Sequence, residues 1–350
     1  PAIAIADALK KTHHKIHILF VGAKNRMEMD KVPAAGYEII GLPVIGLQRK
    51  LSFKNIAFFY KLMRSIFISK NIISSFKPDV VVGVGGFASY PVLRVAAKKG
   101  IPVVLQEQNS YPGLTNRLLG KRAALICAAY DEIKTYFPEI PVHITGNPVR
   151  KDLIDMEDKR QKGYEHFHLD KDRKTLLIVG GSLGAKTINN SVIKYLKTIM
   201  QNKKIQVLWQ TGKYYINVIK QQVDNMMPEN IHVMEFINKM DMAYAVADVV
   251  ISRAGAIAIS EISMAGIPAV FVPSPNVVAD HQTKNAEALV KNNAAILIKD
   301  EQAEEHLLPK ALELLENDEQ QNTLTQNIMK MAVNNSAENI ANNILELIEN

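Results

Sequence analysis

The stretch ADVVISRAGAIAISEISMAGIPAVFVP, from Ala247 to Pro273, admits few local structures. Asp248 to Ile251 opens a short apolar run, Gly255 breaks it, and residues 256–265 are helix-tolerant. Gly266 is a helix-stop residue, and Pro268 to Val272 is apolar again. The order strand, loop, helix, stop, strand is half of a parallel α/β unit, because parallel strands need a crossover connection. In such a sheet the loop at a strand's carboxyl end and the next helix's N-terminus offer an anion free N–H groups. The positive end of the helix dipole lies there too. Arg253 sits in that loop, and Glu261 lies about a turn and a half into the helix. A cation beside helix N–H groups suits a diphosphate, and a carboxylate further along suits sugar hydroxyls. On spacing alone a second reading stands beside this one: two surface charges of an ordinary crossover.

The same alternation runs through the whole chain. IHILFVG, YEIIGLPV, PDVVVGVGG, IPVVLQ, AALICAA and PVHIT read as strands before residue 150, with helical patterns between them. KTLLIV, IQVLWQ and IHVMEFI repeat the pattern after it. The halves are not sequence repeats, yet both alternate strand and helix. The expected fold class is therefore α/β, with two Rossmann-like doubly wound domains. We place the first at residues 1–150, the second at 151–335 and a closing helix at 336–350. The polar run from Lys151 to Lys174 reads as a linker. Asp170-Lys171-Asp172 within it reads as solvated rather than as a metal-binding pair, because it precedes a strand instead of following one.

Two loops carry candidate chemistry. Gly180-Gly181-Ser182-Leu183-Gly184 joins a strand to a helix, and its N–H groups and the Ser182 hydroxyl suit a phosphate. Its spacing matches neither the Walker loop nor GxGxxG, which argues against an NTPase or a dehydrogenase. Glu107, Gln108 and Asn109 end another strand with more polar side chains than a turn needs. There is no GxSxG, CxxC or HExxH, and no His cluster at ligand spacing, so we expect neither a bound metal nor a cofactor.

Length and charge add bounds. At 350 residues, nearly half of them apolar, the chain has room for two cores. The lone Cys127 excludes an internal disulfide and reads as a buried, inert thiol. Net charge is +7, but residues 1–150 carry +12 and the remainder −5. A basic half suggests an anionic partner, and no recognition-helix motif makes that partner nucleic acid. Between Glu38 and Asp79 there is no acidic residue, whereas Arg49, Lys50, Lys54, Lys61, Arg64, Lys70 and Lys77 all fall there. Helical periodicity puts Ile56, Phe59, Met63, Ile66 and Phe67 on one face and Lys50, Lys54, Lys61 and Arg64 on the other. That pattern fits a core-facing helix with a solvated basic back. It also fits a peripheral membrane element that meets anionic lipids. No apolar run nears the ~18 residues that span a bilayer, and the first residues lack signal-peptide character, so a cytosolic setting is expected. The chain opens with a helix at Pro1 where an α/β chain normally has a strand, which suggests a strand upstream.

Taken together, GGSLGA, TGNPVR, QEQN, EFI, SRAGAIAISE and ADHQTKNA resemble the MurG family over essentially the whole chain. These are the UDP-N-acetylglucosamine transferases that convert lipid I to lipid II in peptidoglycan synthesis. The resemblance implies a GT-B fold, with two Rossmann-like domains facing a cleft, and an inverting, metal-independent transfer. It implies attachment to the cytoplasmic membrane face through residues 49–77. By motif, Ser182, Arg253 and the helix opening Ala256, Ile257, Ala258, Ile259, Ser260 would hold the donor diphosphate. Glu261 would hold the ribose, the Ile237 backbone the uracil, and Gln282 with His281 the sugar hydroxyls. Asn109 and Arg150 match further contact positions. Gln106 replaces the first residue of the usual HEQN, and Glu107 is the nearest carboxylate for a catalytic part, more a positioning residue than a base. The resemblance also implies a GGTGGH loop ahead of Pro1, whose His would be the general base, and a last helix returning to the first domain. Two rivals remain: a UDP-N-acetylglucosamine 2-epimerase, and a UDP-N-acetylglucosamine-binding chain without turnover.

Overall fold

The computed structural model describes residues 1–46, 54–149, 156–226, 228–277 and 280–349. The chain divides into two compact units, Pro1–Val149 with Asn334–Asn350, and Arg150–Val333.

In the first unit the elements are α1 (Ala2–Thr12), β1 (Leu19–Ala23), α2 (Glu28–Ala34), β2 (Glu38–Leu42), α3 (Lys54–Phe76) and β3 (Val81–Gly83). They continue through α4 (Tyr90–Lys98), β4 (Val103–Glu107), α5 (Leu114–Leu119), β5 (Leu125–Ala128) and β6 (Val142–Ile144). Every pairing is parallel: β1 with β2, and β3-β4-β5-β6 in order. Between β1 and β3 the ladder is interrupted. Leu19, Val21, Val81, Val103 and Leu105 nevertheless share one core with Ile72 and Ile73 of α3 and with α4. On the other face Ile18, Val82, Val104 and Cys127 pack with Ile5, Ala8 and Leu9 of α1. β4 and β5 are buried throughout, whereas Leu19 to Val21 and Val81–Val82, which border the interruption, are half-buried.

α3 does not turn its apolar stripe to the core, the first of the two arrangements that its sequence allows. Its buried side is Ser65, Ser69, Ile72 and Ile73, while Phe59, Met63 and Phe67 face outward beside Arg64 and Lys70. Two serines serve a close helix contact better than two large side chains. The Ser65 and Ser69 hydroxyls donate back to the carbonyls of Lys61 and Ser65, so burial leaves neither unpaired.

The second unit runs α6 (Met156–Phe167), β7 (Lys174–Val179), α7 (Lys186–Lys194), α8 (Leu196–Gln201), β8 (Ile205–Gln210), α9 (Ile216–Asp224), β9 (Ile231–Met234) and α10 (Met240–Val246). Then come β10 (Val249–Ser252), α11 (Ala256–Ala265), β11 (Ala269–Phe271), α12 (His281–Lys291), β12 (Ile296–Leu297), α13 (Ala303–Glu316) and α14 (Asp318–Lys330). One six-stranded parallel sheet has the order β12-β11-β10-β7-β8-β9. Strands 8, 10 and 11, and β7 apart from its ends, are buried on both faces, because helices cover both. The supposed linker departs from the sequence reading. Much of it is α6, whose Tyr164 and Phe167 are buried, and Gly163 lets it close on α10, since a Cβ there would lie 2.8 Å from the Met242 carbonyl. Its many charges hid a narrow apolar seam. Asp170 to Asp172 form a turn before β7, with Asp170 bonded to the Asp172 amide and to Arg173. α15 (Ser336–Glu349) closes the chain in the first unit, with Ala337, Ile340 and Ile344 against α1.

Candidate active site

In the second unit the strand order reverses at β7. The chain moves outward through β8 and β9, then returns to lay β10 on β7's other side. Such a switch point opens a crevice at the carboxyl ends of the two strands. Ser252 is in register with Val179, so the loops Gly180–Ala185 and Arg253–Gly255 leave the sheet side by side. Each leads into a helix, α7 and α11, and neither helix has a side-chain N-cap. Their first N–H groups and both dipoles' positive ends therefore meet at the mouth of the crevice with no side-chain cap over them.

The local sequence makes this geometry. Gly184 (φ +88°) and Gly212 (φ +83°) sit back to back, and a Cβ on Gly212 would lie 2.1 Å from the Gly184 amide nitrogen. No other residue fits that contact, and it pins the loop after β7 to the one after β8. The Lys213 amide, donating to the Ser182 carbonyl at 3.1 Å, adds a second tie, and Ser182 itself is exposed at the loop tip. In α11 the Ser260 hydroxyl donates to the Ala256 carbonyl, and Gly266 (φ +66°) ends the helix in the left-handed conformation that L side chains resist. Ala256 and Ile259 are buried, and Ile257, Ala258 and Ser260 are half-buried.

Arg253 is already engaged. Its Nη1 donates to the carbonyls of Val272 (3.1 Å) and Pro273 (3.2 Å) and pairs with Asp300, while Nη2 reaches Thr187 Oγ at 3.0 Å. The guanidinium thus ties the β10 loop to α7's first turn and to the exits of β11 and β12. Its charge is compensated by a carboxylate that no local pattern singles out. Asn285 was equally unmarked; it is fully buried and donates to the Ala254 carbonyl, fastening α12 to the same loop. Gln282 accepts the Ser274 amide at 2.8 Å, and His281 begins α12 beside Asp280 in the left-handed region. The Ile237 amide donates to Gln210 Oε1 at 2.9 Å, so that N–H is spoken for. Glu261 is buried and accepts from the Tyr244 hydroxyl at 3.2 Å.

The first unit holds the other candidates. Glu107 ends β4 buried, and both its oxygens are occupied. Oε1 accepts from the Asn109 amide and side chain at 3.0 and 3.2 Å, and Oε2 from the Gly113 amide and Asn116 Nδ2 at 2.9 and 2.8 Å. A carboxylate with four donors shapes the loop from 108 to 113, and taking up a proton would break that set. Asn109 is half-buried on this loop. Gln106 donates to Asn147, which donates to the Gln108 carbonyl. Arg150 lies outside the described residues. Among the described residues no three His, Cys, Asp or Glu side chains gather as for a metal, and no helix is long and apolar enough to cross a membrane.

Residues 1–127 match the glycosyltransferase family 28 N-terminal domain, and residues 175–344 match its C-terminal domain. A Cytophaga hutchinsonii protein, 49% identical over 99% of this chain and 93% of its own length, is a UDP-N-acetylglucosamine--N-acetylmuramyl-(pentapeptide) pyrophosphoryl-undecaprenol N-acetylglucosamine transferase. The crystal structure of Acinetobacter baumannii MurG superposes with a TM-score of 0.79 at 28% identity, covering 99% of this chain and 95% of that one. The UDP-N-acetylglucosamine 2-epimerase of Neisseria meningitidis shares the fold, at a TM-score of 0.66 and 17% identity over 98% and 95% of the two chains.

Proposed function

This chain belongs to glycosyltransferase family 28, and on that premise we propose that it transfers N-acetylglucosamine from UDP to the C4 hydroxyl of the muramyl sugar of a pyrophosphoryl-undecaprenol acceptor. The observation that carries the donor half is the pairing of two uncapped helix N-termini at adjacent strand ends, β7 and β10. The acceptor hydroxyl attacks C1 of the sugar and gives up its proton to water, the bond to the diphosphate oxygen breaks, and the anomeric centre inverts. The leaving UDP gains charge as it departs. The N–H groups of both helices and the Ser182 hydroxyl answer that charge from fixed positions, at a few kcal/mol per donor in comparable sites, while Arg253, paired with Asp300, holds the β10 loop beside them. Glu261 addresses the ribose, the Ile237 carbonyl the base, and Gln282 with His281 the transferred sugar. Asn109 and Arg150 are further substrate contacts. Glu107 acts by holding the Asn109 loop. No step calls for a bound metal.

The membrane partner is the outward stripe of α3. Phe59, Tyr60, Met63 and Phe67 are 61–68% exposed, an unusual outlay of large apolar surface, and Arg64 and Lys70 border them. Apolar side chains that dip beneath headgroups, flanked by cations for anionic lipid, suit a peripheral site on the cytoplasmic leaflet where a lipid-linked acceptor resides.

The test is UDP release from UDP-N-acetylglucosamine with and without the purified lipid acceptor. Release only with acceptor, together with a disaccharide-bearing lipid product, is the expected result. Release without acceptor, or an epimerised sugar, would favour the 2-epimerase chemistry of the fold's other members. Tight UDP binding without any turnover would favour a binding chain.

A further inference from the structure

We propose that Tyr244 is a specificity-determining positioning residue, which aims the Glu261 carboxylate at the ribose hydroxyls of the nucleotide. The proposal rests on the reading of Glu261 as the ribose acceptor. Glu261 is 6% exposed in α11 and Tyr244 3% exposed in α10, and the phenol donates to Oε2 at 3.2 Å. A phenol gives one proton and leaves its partner an anion. It therefore fixes where the carboxylate points without spending the charge that makes it a strong acceptor for a diol. A cation in the same place would neutralise that charge.

Tyr244 is itself held in place. Arg160 donates to the carbonyl of the next residue, Ala245, at 3.3 Å and to Asp248 Oδ1 at 2.8 Å, and Asp248 Oδ2 accepts the Thr175 amide that opens β7. Tyr244 lines a cavity with Arg160, Asp248, Ile267 and Pro268, the last two preceding β11. The residue thus stands beside segments that precede the strands, while its hydroxyl reaches the helix that follows β10. This chain of contacts carries rigidity from the sheet to one carboxylate oxygen.

The consequence is discrimination between ribose and deoxyribose, because a site built to bond a hydroxyl rejects a ligand that lacks it. Calorimetric titration of the full chain with UDP and with 2′-deoxy-UDP reads that preference. Tyr244→Phe is expected to lower the preference for UDP about tenfold, the worth of one hydrogen bond to a charged group, while 2′-deoxy-UDP binding stays near its starting value. Glu261→Gln is the control for the underlying reading and is expected to lower the preference as well. If Glu261→Gln lowers it and Tyr244→Phe does not, the proposal falls and the reading of Glu261 stands. If neither variant moves it, or the unaltered chain shows no preference, both fall. Equal weakening of the two nucleotides by Tyr244→Phe would mean a merely structural role and also overturn the proposal. Phenylalanine keeps the ring that the core is built around. Should that variant still unfold, Tyr244→His, whose shorter ring falls short of Glu261, is expected to lower the same preference, and an unchanged preference overturns the proposal.

Discussion

Arg253 and Asp300 are each less than one-fifth exposed at the side chain, and the pair closes a knot that also holds Thr187 and two carbonyls of the β11 exit. Removing one partner strands the other's charge in a poorly solvated place. Asp300→Ala is expected to lower unfolding free energy by about 2–3 kcal/mol, below the full cost for a wholly buried pair because some solvent reaches this one. Arg253→Met alone should cost a similar amount, and the double variant less than the sum, with a coupling on the order of 2 kcal/mol. Urea titration of the four proteins measures it; additive losses would mean the contact contributes nothing. Arg253 stood out in the sequence because a cation follows an apolar run and precedes a glycine. Asp300 did not, because what selects it is a through-space meeting 47 residues away that no local period encodes. Thr187 and Tyr244 were hidden for the same reason, each looking like an ordinary helix residue until its neighbour is known.

α3 is the element whose existence is plain in the sequence and whose orientation is not. A stripe of Phe59, Met63 and Phe67 obeys the helical period equally well facing a core or facing outward, and only the burial of Ser65 and Ser69 decides between them. Replacing all three by Ser is expected to leave thermal stability nearly unchanged, within about 0.5 kcal/mol per site, since exposed side chains contribute little to folding. Sedimentation with vesicles containing anionic lipid should fall by two orders of magnitude or more, at roughly 1.5 kcal/mol or above per large side chain withdrawn from the bilayer. A large loss of stability with vesicle binding intact would make this stripe a packing surface. α6 was obscured differently, its polar composition masking the seam that Tyr164 and Phe167 bury. The strands were the easiest to read, because LLIV, VVI and AVF are short runs, apolar on both faces, each with a β-branched Val or Ile. One edge strand adds a pH dependence. Burial, with His168 and Arg173 nearby, lowers the pKa of His232 in β9 below its ordinary 6.5. The unfolded chain then takes up a proton before the folded one does. This contribution is therefore present above about pH 6.5 and lost as pH falls through the lower, folded value. His232→Gln should flatten the decline in urea midpoint between pH 7.5 and 5 relative to the unaltered chain; parallel declines would remove His232 from the account.

Each of the two units builds its own core, and the chain carries one natural reporter in each. Trp209, the single tryptophan, is fully buried in β8 among Leu176, Ile188 and Val192 of the second unit. Cys127, the single cysteine, is fully buried in β5 of the first, where burial pushes the thiol up to about 12 against the smaller opposing pull of a bond with Thr145. At pH 8 that thiol stays protonated and out of reach, so its alkylation reports opening of the first unit, as tryptophan emission reports the second. If nucleotide recognition resides in the loops after β7 and β10, UDP at a hundred times its dissociation constant should add about 2.7 kcal/mol to the second unit alone. The tryptophan transition is then expected at higher urea with UDP present, and the thiol-labelling transition at the same urea as without it. A shift of both would show the units unfolding as one body, and a shift of the thiol signal alone would move the nucleotide to the first unit. 2′-Deoxy-UDP, which differs from UDP only in lacking the ribose 2′-hydroxyl, should give a smaller tryptophan shift if Glu261 reads the diol, so the same titration separates binding by the helix N-termini from recognition of the sugar.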